Sequence, residues 1–223
     1  MSPSGYLAPL EEAFRKMGNP ERGAQMQAYT RDLYPYYGIQ AKPRADLLKK
    51  YLRDAGFPEN VESVVQECWE REEREWQYAG LEIADRAHRK GLLEQPMELF
   101  RFMIISKSWW DTVDSVASNG VGRAMKEADD FRPVMEDWLY SGNLWLQRSC
   151  LIFQLKYKSD TDISWLHQSI SELKGNKEFF IQKAIGWALR QHARIDAEWV
   201  RREVDQQKLQ GIARREALKH IGA

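Results

Sequence analysis

The most chemically specific pair in the sequence is an aspartate one helical turn from a tryptophan. In SKSWWDTVDSV (106–116), Trp110 and Asp114 stand four residues apart, so a helix places both side chains on one face. A carboxylate beside an aromatic plane suits a flat cation or a positive charge that develops during a reaction, because an anion stabilises such a charge by Coulomb attraction. A tryptophan packed over a structural ion pair explains the same spacing equally well.

A second helix carries an aromatic residue among cations. In KEFFIQKAIGWALRQHAR (177–194), Lys183, Trp187, Arg190 and Arg194 follow one another at helical spacing, on a stripe separate from the apolar stripe that should face the core. Cations around an indole suit a polyanion that carries flat aromatic groups, as nucleic acids do. A surface stabilised only by cation–π contacts is the simpler alternative.

A third segment, NLWLQRSCLIFQLKYK (143–158), is apolar nearly all round, which predicts a buried helix. Arg148 has apolar neighbours on its own side, and a guanidinium in such surroundings needs an anion. The sequence leaves open whether that anion is an internal carboxylate or a phosphate. Lys156 lies within about 80° of Arg148 around the helix axis and extends the same cationic edge.

The elements that must position these residues are predicted to be helices throughout. Apolar residues recur at three- and four-residue spacing almost end to end, and alternating strand patterns are scarce, so the fold class is all-α. The predicted helices include 109–117, 120–128, 143–158, 178–194 and 211–221. Helix pairs of roughly 35–40 residues indicate HEAT-like repeats stacked into a superhelical solenoid with a concave cleft. No long linker interrupts them, so we expect one domain over residues 1–223.

Composition excludes several classes of protein. The chain has 33 Lys+Arg and 33 Asp+Glu, which argues against a uniformly basic nucleic-acid binder or an acidic disordered tail. Cys68 and Cys150 lack metal-binding spacing and the four histidines are scattered, so reduced thiols and no metal site are expected. Neither a signal peptide nor a membrane span is apparent, which favours the cytoplasm.

Several segments together resemble the AlkD family of DNA alkylation-repair glycosylases. They are SKSWWDTVDS, LWLQR followed by LIFQLKYK, KEFFIQKAIGW with LR, and REALKHI, in matching order and spacing; YGIQ with PRADLLKKYL and EREWQYAGLEI extend the likeness over the chain. The resemblance implies an α-helical superhelix of HEAT-like repeats whose basic concave cleft holds duplex DNA. It also implies a monofunctional glycosylase that releases cationic N3- and N7-alkylated purines without metal or organic cofactor.

The resemblance also implies roles for individual residues. The family's catalytic aspartate falls on Asp114 and its two cleft tryptophans fall on Trp110 and Trp187. Its DNA-backbone arginines fall on Arg148 and Arg190, and its cleft tyrosine on Tyr29. Lys156 and Gln40 match other cleft residues. Lys183 joins this DNA-binding set through its place on the cationic stripe.

Chemistry and resemblance agree on one mechanism. An alkylated purine is a cationic leaving group, so the enzyme need only stabilise positive charge at the sugar C1′, a role we assign to Asp114. The expected partner is duplex DNA with alkylated purines, bound by a monomer that becomes nucleoid-associated. The alternative is a non-catalytic HEAT-like scaffold that binds damaged DNA or a protein.

Overall fold

The computed structural model describes residues 1–221, and within them it contains helices and no β-strand. The predicted all-α fold class is therefore confirmed. The α-helices are α1 (Pro3–Met17), α2 (Pro20–Tyr29), α3 (Ala41–Ala55), α4 (Val61–Glu70), α5 (Arg74–His88), α6 (Pro96–Ile105), α7 (Trp110–Ser115), α8 (Gly122–Glu127), α9 (Arg132–Leu139), α10 (Leu144–Ile152), α11 (Ile163–Leu173), α12 (Phe179–His192), α13 (Ala197–Gln206) and α14 (Gly211–Ala217).

Short polar residues fix where many of these helices begin. Asn19, Asn60, Asn143, Asp162 and Asp196 each precede a helix, and each side-chain oxygen accepts a hydrogen bond from a backbone N–H of the first turn. These bonds satisfy donors that have no partner inside the helix. Helix starts are therefore encoded locally. No helix in the described part of the chain is both long and apolar enough to span a membrane.

The chain forms two compact units, residues 1–99 and the remainder, and the division falls inside α6. In the amino-terminal unit, α4 packs on α1 and α5, and α5 also packs on α3. Buried Glu75 of α5 accepts backbone hydrogen bonds from Tyr37, Gly38 and Ile39, which anchors the segment before α3. Gly38 has a φ of +88°, a conformation that favours glycine. The expectation of one domain stays a prediction.

In the carboxy-terminal unit, α12 is the central helix. It packs on α10, α11, α13 and α14. Its closest neighbour is α14, since a Cβ added at Gly186 would lie 2.5 Å from the Glu216 Cβ and 2.8 Å from the Ala213 carbonyl oxygen. Only glycine lets the two helices approach this closely. The crossing brings side chains of α14 beside the cationic stripe of α12.

The structure corrects two predicted helices. The helix predicted over 143–158 ends at Ile152, because the side chains beyond it bond to remote backbone. Gln154 exchanges two hydrogen bonds with the backbone of Asp162, and the Tyr157 hydroxyl donates to the Gly122 carbonyl at 2.6 Å. The helix predicted over 211–221 ends at Ala217.

The break predicted between 117 and 120 is also wrong. A π-helical turn, Val116–Val121, joins α7 directly to α8. Within this wider turn Gly120 packs against the Phe100 ring, and a Cβ added at Gly120 would lie 2.8 Å from it. Gly122, the next residue after the turn, packs against the Phe153 carbonyl oxygen, which would lie 2.4 Å from an added Cβ. Such π turns are frequent beside functional sites, and this one begins two residues after Asp114.

Candidate functional site

A cleft of about 340 Å³ in the carboxy-terminal unit collects most of the predicted site residues. Its walls come from α7, α10, α12 and α14. The lining residues are Trp110, Asp114, Arg148, Phe179, Phe180, Lys183, Trp187, Arg190 and Glu216. Six of these nine were predicted from the sequence, so the structure brings the three predicted segments together around one cavity.

Asp114 and Arg148 form a bidentate salt bridge at the base of this cleft. Arg148 Nε donates to Asp114 Oδ1 at 2.7 Å and Nη2 donates to Oδ2 at 2.8 Å. A third bond runs from Nη1 to the Phe180 carbonyl oxygen at 2.5 Å. The Arg148 side chain is 4% exposed and that of Asp114 is 16% exposed. Of the two anions left open by the sequence, Arg148 therefore holds the internal carboxylate.

The surroundings of Asp114 act on its pKa in opposite directions. Burial raises the pKa of the carboxyl above its ordinary value, while the hydrogen bonds and charge of Arg148 lower it and the nearby Asp111 raises it. Bonds to both oxygens are those of a carboxylate anion. The site thus holds a fixed negative charge with little water around it, and such a charge acts strongly on any cation that enters.

Glu216 of α14 is a site residue that the sequence patterns did not predict. Its Oε1 accepts from Lys183 Nζ at 2.8 Å and its Oε2 accepts from Arg190 Nη1. The hydrogen bond from Lys183 and the charges of both cations hold the Glu216 pKa below its usual range. The only sequence signal was its place in REALKHI, a segment that carries the family resemblance.

This pairing changes the electrostatics expected of the cleft. Three cations, Arg148, Lys183 and Arg190, meet two carboxylates, Asp114 and Glu216, so the lining has a net charge of only +1. In the sequence of α12 alone, Lys183 and Arg190 form a strongly cationic stripe, because their acidic partner Glu216 lies on α14. The cleft is therefore nearly neutral.

Aromatic packing stiffens the wall behind the ion pair. Trp109 contacts Trp145 and Phe180 with ring centroids 6.1 and 5.3 Å apart, and Trp145 and Phe180 lie 5.0 Å apart. Phe180 also supplies the carbonyl that holds Arg148. Trp110 and Trp187 are partly exposed and line the cavity itself. Two indoles thus present aromatic surface to a ligand beside the carboxylate.

The π turn that follows Asp114 orients one further predicted residue. Asn119 donates to the Ser115 carbonyl at 2.9 Å, and its Oδ1 accepts from the ammonium of Lys156. Lys156 is exposed and does not line the cleft. Arg194, the last cation of the predicted stripe, is exposed beyond the end of α12.

Two predicted residues belong to the amino-terminal unit. Tyr29 ends α2 and is 70% exposed, and Gln40 is the exposed residue that precedes α3. Their role in DNA binding stays a prediction.

The amino-terminal unit has a cationic groove of its own, which the sequence patterns did not predict. The groove has a volume of about 750 Å³ and lies on α3, α5 and the segments after them. It is lined by Lys49, Leu52, Arg53, Phe57, Glu82, Asp85, Arg86, Arg89 and Lys90. Five cations against two acids give this lining a net charge of +3. A signal was present in the one-turn spacing of Lys49 and Arg53 on α3.

Comparison with known proteins supports the family resemblance of the sequence. A family model described as DNA alkylation repair enzyme matches residues 10–221. Among solved structures, the chain is similar to a predicted DNA alkylation repair enzyme from Enterococcus faecalis, with a TM-score of 0.83 and 30% sequence identity. That match covers 92% of this chain and 97% of the other. No curated protein matches the chain.

Proposed function

Because the chain belongs to the family of DNA alkylation repair enzymes, we propose that it is a DNA glycosylase. Its substrate is duplex DNA that contains N3- or N7-alkylated purines, and its products are the free base and an abasic site. The observation that carries the proposal is the Asp114 carboxylate, held by Arg148 in a cleft lined by Trp110 and Trp187.

The chemistry suits such a site because the substrate already carries the positive charge. When the bond between C1′ and the alkylated purine breaks, its electron pair moves to the purine and neutralises it, and the sugar becomes an oxocarbenium ion. Water then adds to C1′ and gives up a proton. A fixed anion close to C1′ stabilises the sugar cation in the transition state, which is the role of Asp114. Neither a metal nor an organic cofactor is required by this route.

The other cleft residues support this step. Trp110 and Trp187 offer π faces to the cationic base or the sugar, and such contacts strengthen when water is excluded. Arg148 acts as a positioning residue, since its paired bonds fix the direction of the Asp114 oxygens.

Cations outside the cleft are proposed to hold the DNA backbone. The amino-terminal groove, with a net charge of +3, supplies exposed Lys49 and Arg53. Lys156 adds a further cation in this proposal, and Tyr29 and Gln40 add uncharged polar contacts. Contacts of this kind set the position of the duplex without reading its sequence.

The test is release of methylated base from alkylated duplex DNA by the wild type and by Asp114→Asn. We expect the variant to lose about 10²- to 10³-fold in rate, the usual cost of removing one electrostatic stabiliser of a transition state. Its DNA affinity should persist, because the phosphates are held elsewhere. Asp111→Asn is the matched control, since it removes the same charge from the same helix outside the cleft lining.

The outcomes separate the alternatives. A wild type that binds alkylated duplex but releases no base above the buffer rate contradicts the glycosylase proposal and favours a non-catalytic damage-binding protein. Equal rates in wild type and Asp114→Asn would remove Asp114 from the mechanism. A protein that neither binds DNA nor releases base favours a scaffold for another protein.

A further inference from the structure

One carboxylate, Glu216, pairs with two of the three cations that line the cleft. It accepts from Lys183 through one oxygen and from Arg190 through the other. No step of the proposed reaction uses it. We propose that Glu216 determines specificity: it weakens the positive field of Lys183 and Arg190, so that the cleft accepts a cationic purine more readily and attracts the backbone of intact DNA less strongly. This inference rests on the proposed function of the same site.

The fold holds Glu216 in place. The close crossing of α12 and α14 at Gly186 sets the Glu216 backbone against α12, and the Glu216 side chain is 12% exposed. The cations are more accessible, at 39% for Lys183 and 24% for Arg190. An ammonium has three donors and a guanidinium five, so pairing with one carboxylate leaves donors on each for a second anion. Glu216 therefore weakens the two cations without hiding them.

The charges give this arrangement its effect on selectivity. With Arg148 and Asp114 already paired, Lys183, Arg190 and Glu216 leave the cleft at +1. Without Glu216 the same cavity of about 340 Å³ would carry +2. A cationic purine would then be repelled more strongly, while every phosphate would be attracted more strongly. Specificity is a difference between two affinities, and Glu216 shifts both in the direction that favours alkylated DNA.

The experiment compares dissociation constants for an unmodified duplex and for the same duplex with one 7-methylguanine. For Glu216→Gln we expect unmodified DNA to bind about two- to fivefold more tightly, the scale of one partly exposed charge pair. The dependence of log K on log salt should steepen by about one unit. The preference for the methylated duplex should fall by a similar factor.

Asp205→Asn is the matched control. Asp205 pairs at 2.9 Å with Arg214 of α14, both side chains are exposed, and neither lines the cleft. The substitution adds the same net charge to the protein as Glu216→Gln. We expect it to change neither the preference nor the salt slope. A control that matches Glu216→Gln would assign the effect to overall charge and overturn the inference.

A second variant keeps the test independent of the folding of Glu216→Gln. Lys183→Gln removes an accessible cation and brings the cleft to neutrality, so the preference for methylated DNA should rise while affinity for unmodified DNA falls. Glu216→Gln/Lys183→Gln restores the net cleft charge of +1 and should restore the wild-type preference.

If Glu216→Gln weakens binding to both duplexes equally, the residue only orients the cations and the inference is wrong. Base release by the wild type tests the glycosylase proposal separately from these affinities.

Discussion

Replacing Arg148 with methionine isolates the contribution of the ion pair, because methionine keeps much of the volume and removes the charge. The variant leaves the Asp114 carboxylate without its two charged donors in a site where the Asp114 side chain is 16% exposed. Removing one partner of a buried pair costs about 3–5 kcal/mol, and the partial exposure of Asp114 favours the lower end. At about 3 kcal/mol, the unfolding temperature at neutral pH should fall by about 6–12 °C for a chain of this size.

The loss should depend on pH with a defined sign. Burial already raises the pKa of Asp114 above the ordinary 3.8, and Arg148 opposes that rise. Without Arg148 the folded pKa rises further, so the folded protein binds more protons than the unfolded chain between pH 3.8 and the new value. The free energy of unfolding of the variant therefore falls as pH increases through this window, by up to about 1.4 kcal/mol per pH unit. At lower pH the carboxyl is neutral in both states and the penalty disappears.

Urea unfolding of wild type and Arg148→Met at a series of pH values measures this directly. The double variant Asp114→Asn/Arg148→Met has no carboxyl at position 114 to ionise, so its difference from wild type should vary much less with pH. Base release by Arg148→Met should also require a higher pH than in wild type, since fewer molecules carry an ionised Asp114. An Arg148→Met protein that loses the same stability at every pH, or none, would show that the pair does not control the charge of Asp114.

Close packing at Gly186 and charges outside the ion pair also have measurable consequences. Gly186→Ala should lower the free energy of unfolding by about 1–3 kcal/mol, because the added Cβ would collide with Glu216 and Ala213. Chemical denaturation measures this loss, and Gly175→Ala, which adds a Cβ into open space, is the control. Burial lowers the pKa of His192 and the charge of Asp196 opposes this, so the stability that neutral His192 contributes is complete above pH 6.5 and is lost as pH falls through the pKa of the folded protein. His192→Phe should flatten the profile of unfolding free energy against pH in this range. An unchanged profile would assign the pH dependence to other groups. Lys49→Gln/Arg53→Gln in the amino-terminal groove should reduce the salt slope of DNA binding by about two units, whereas Lys16→Gln, an exposed cation outside the groove, should not.

Helix positions were largely predictable because the signals that fix them are local. The helix predicted over 178–194 is observed as Phe179–His192, and the capping residue Asp196 stands directly before α13. The segment after Ile152 was not predictable, because the bonds that end that helix join Gln154 to Asp162 and Tyr157 to Gly122. An apolar run in the sequence predicts that the helix continues. Hydrogen bonds from its side chains to backbone groups of other segments override that preference and end the helix.

The sequence by itself determined which side chains share a face of one helix. It placed Trp110 with Asp114, and Lys183 with Trp187 and Arg190, since the 3.6-residue period fixes the angle of each residue about its own axis. The tertiary structure alone decided what those faces meet. Arg148 reaches Asp114 across 34 residues, and Glu216 reaches Lys183 across 33, because α10 and α14 pack beside them. The period of a helix carries no information on which neighbour it packs against, so a cationic stripe in the sequence became a nearly neutral cleft in the fold.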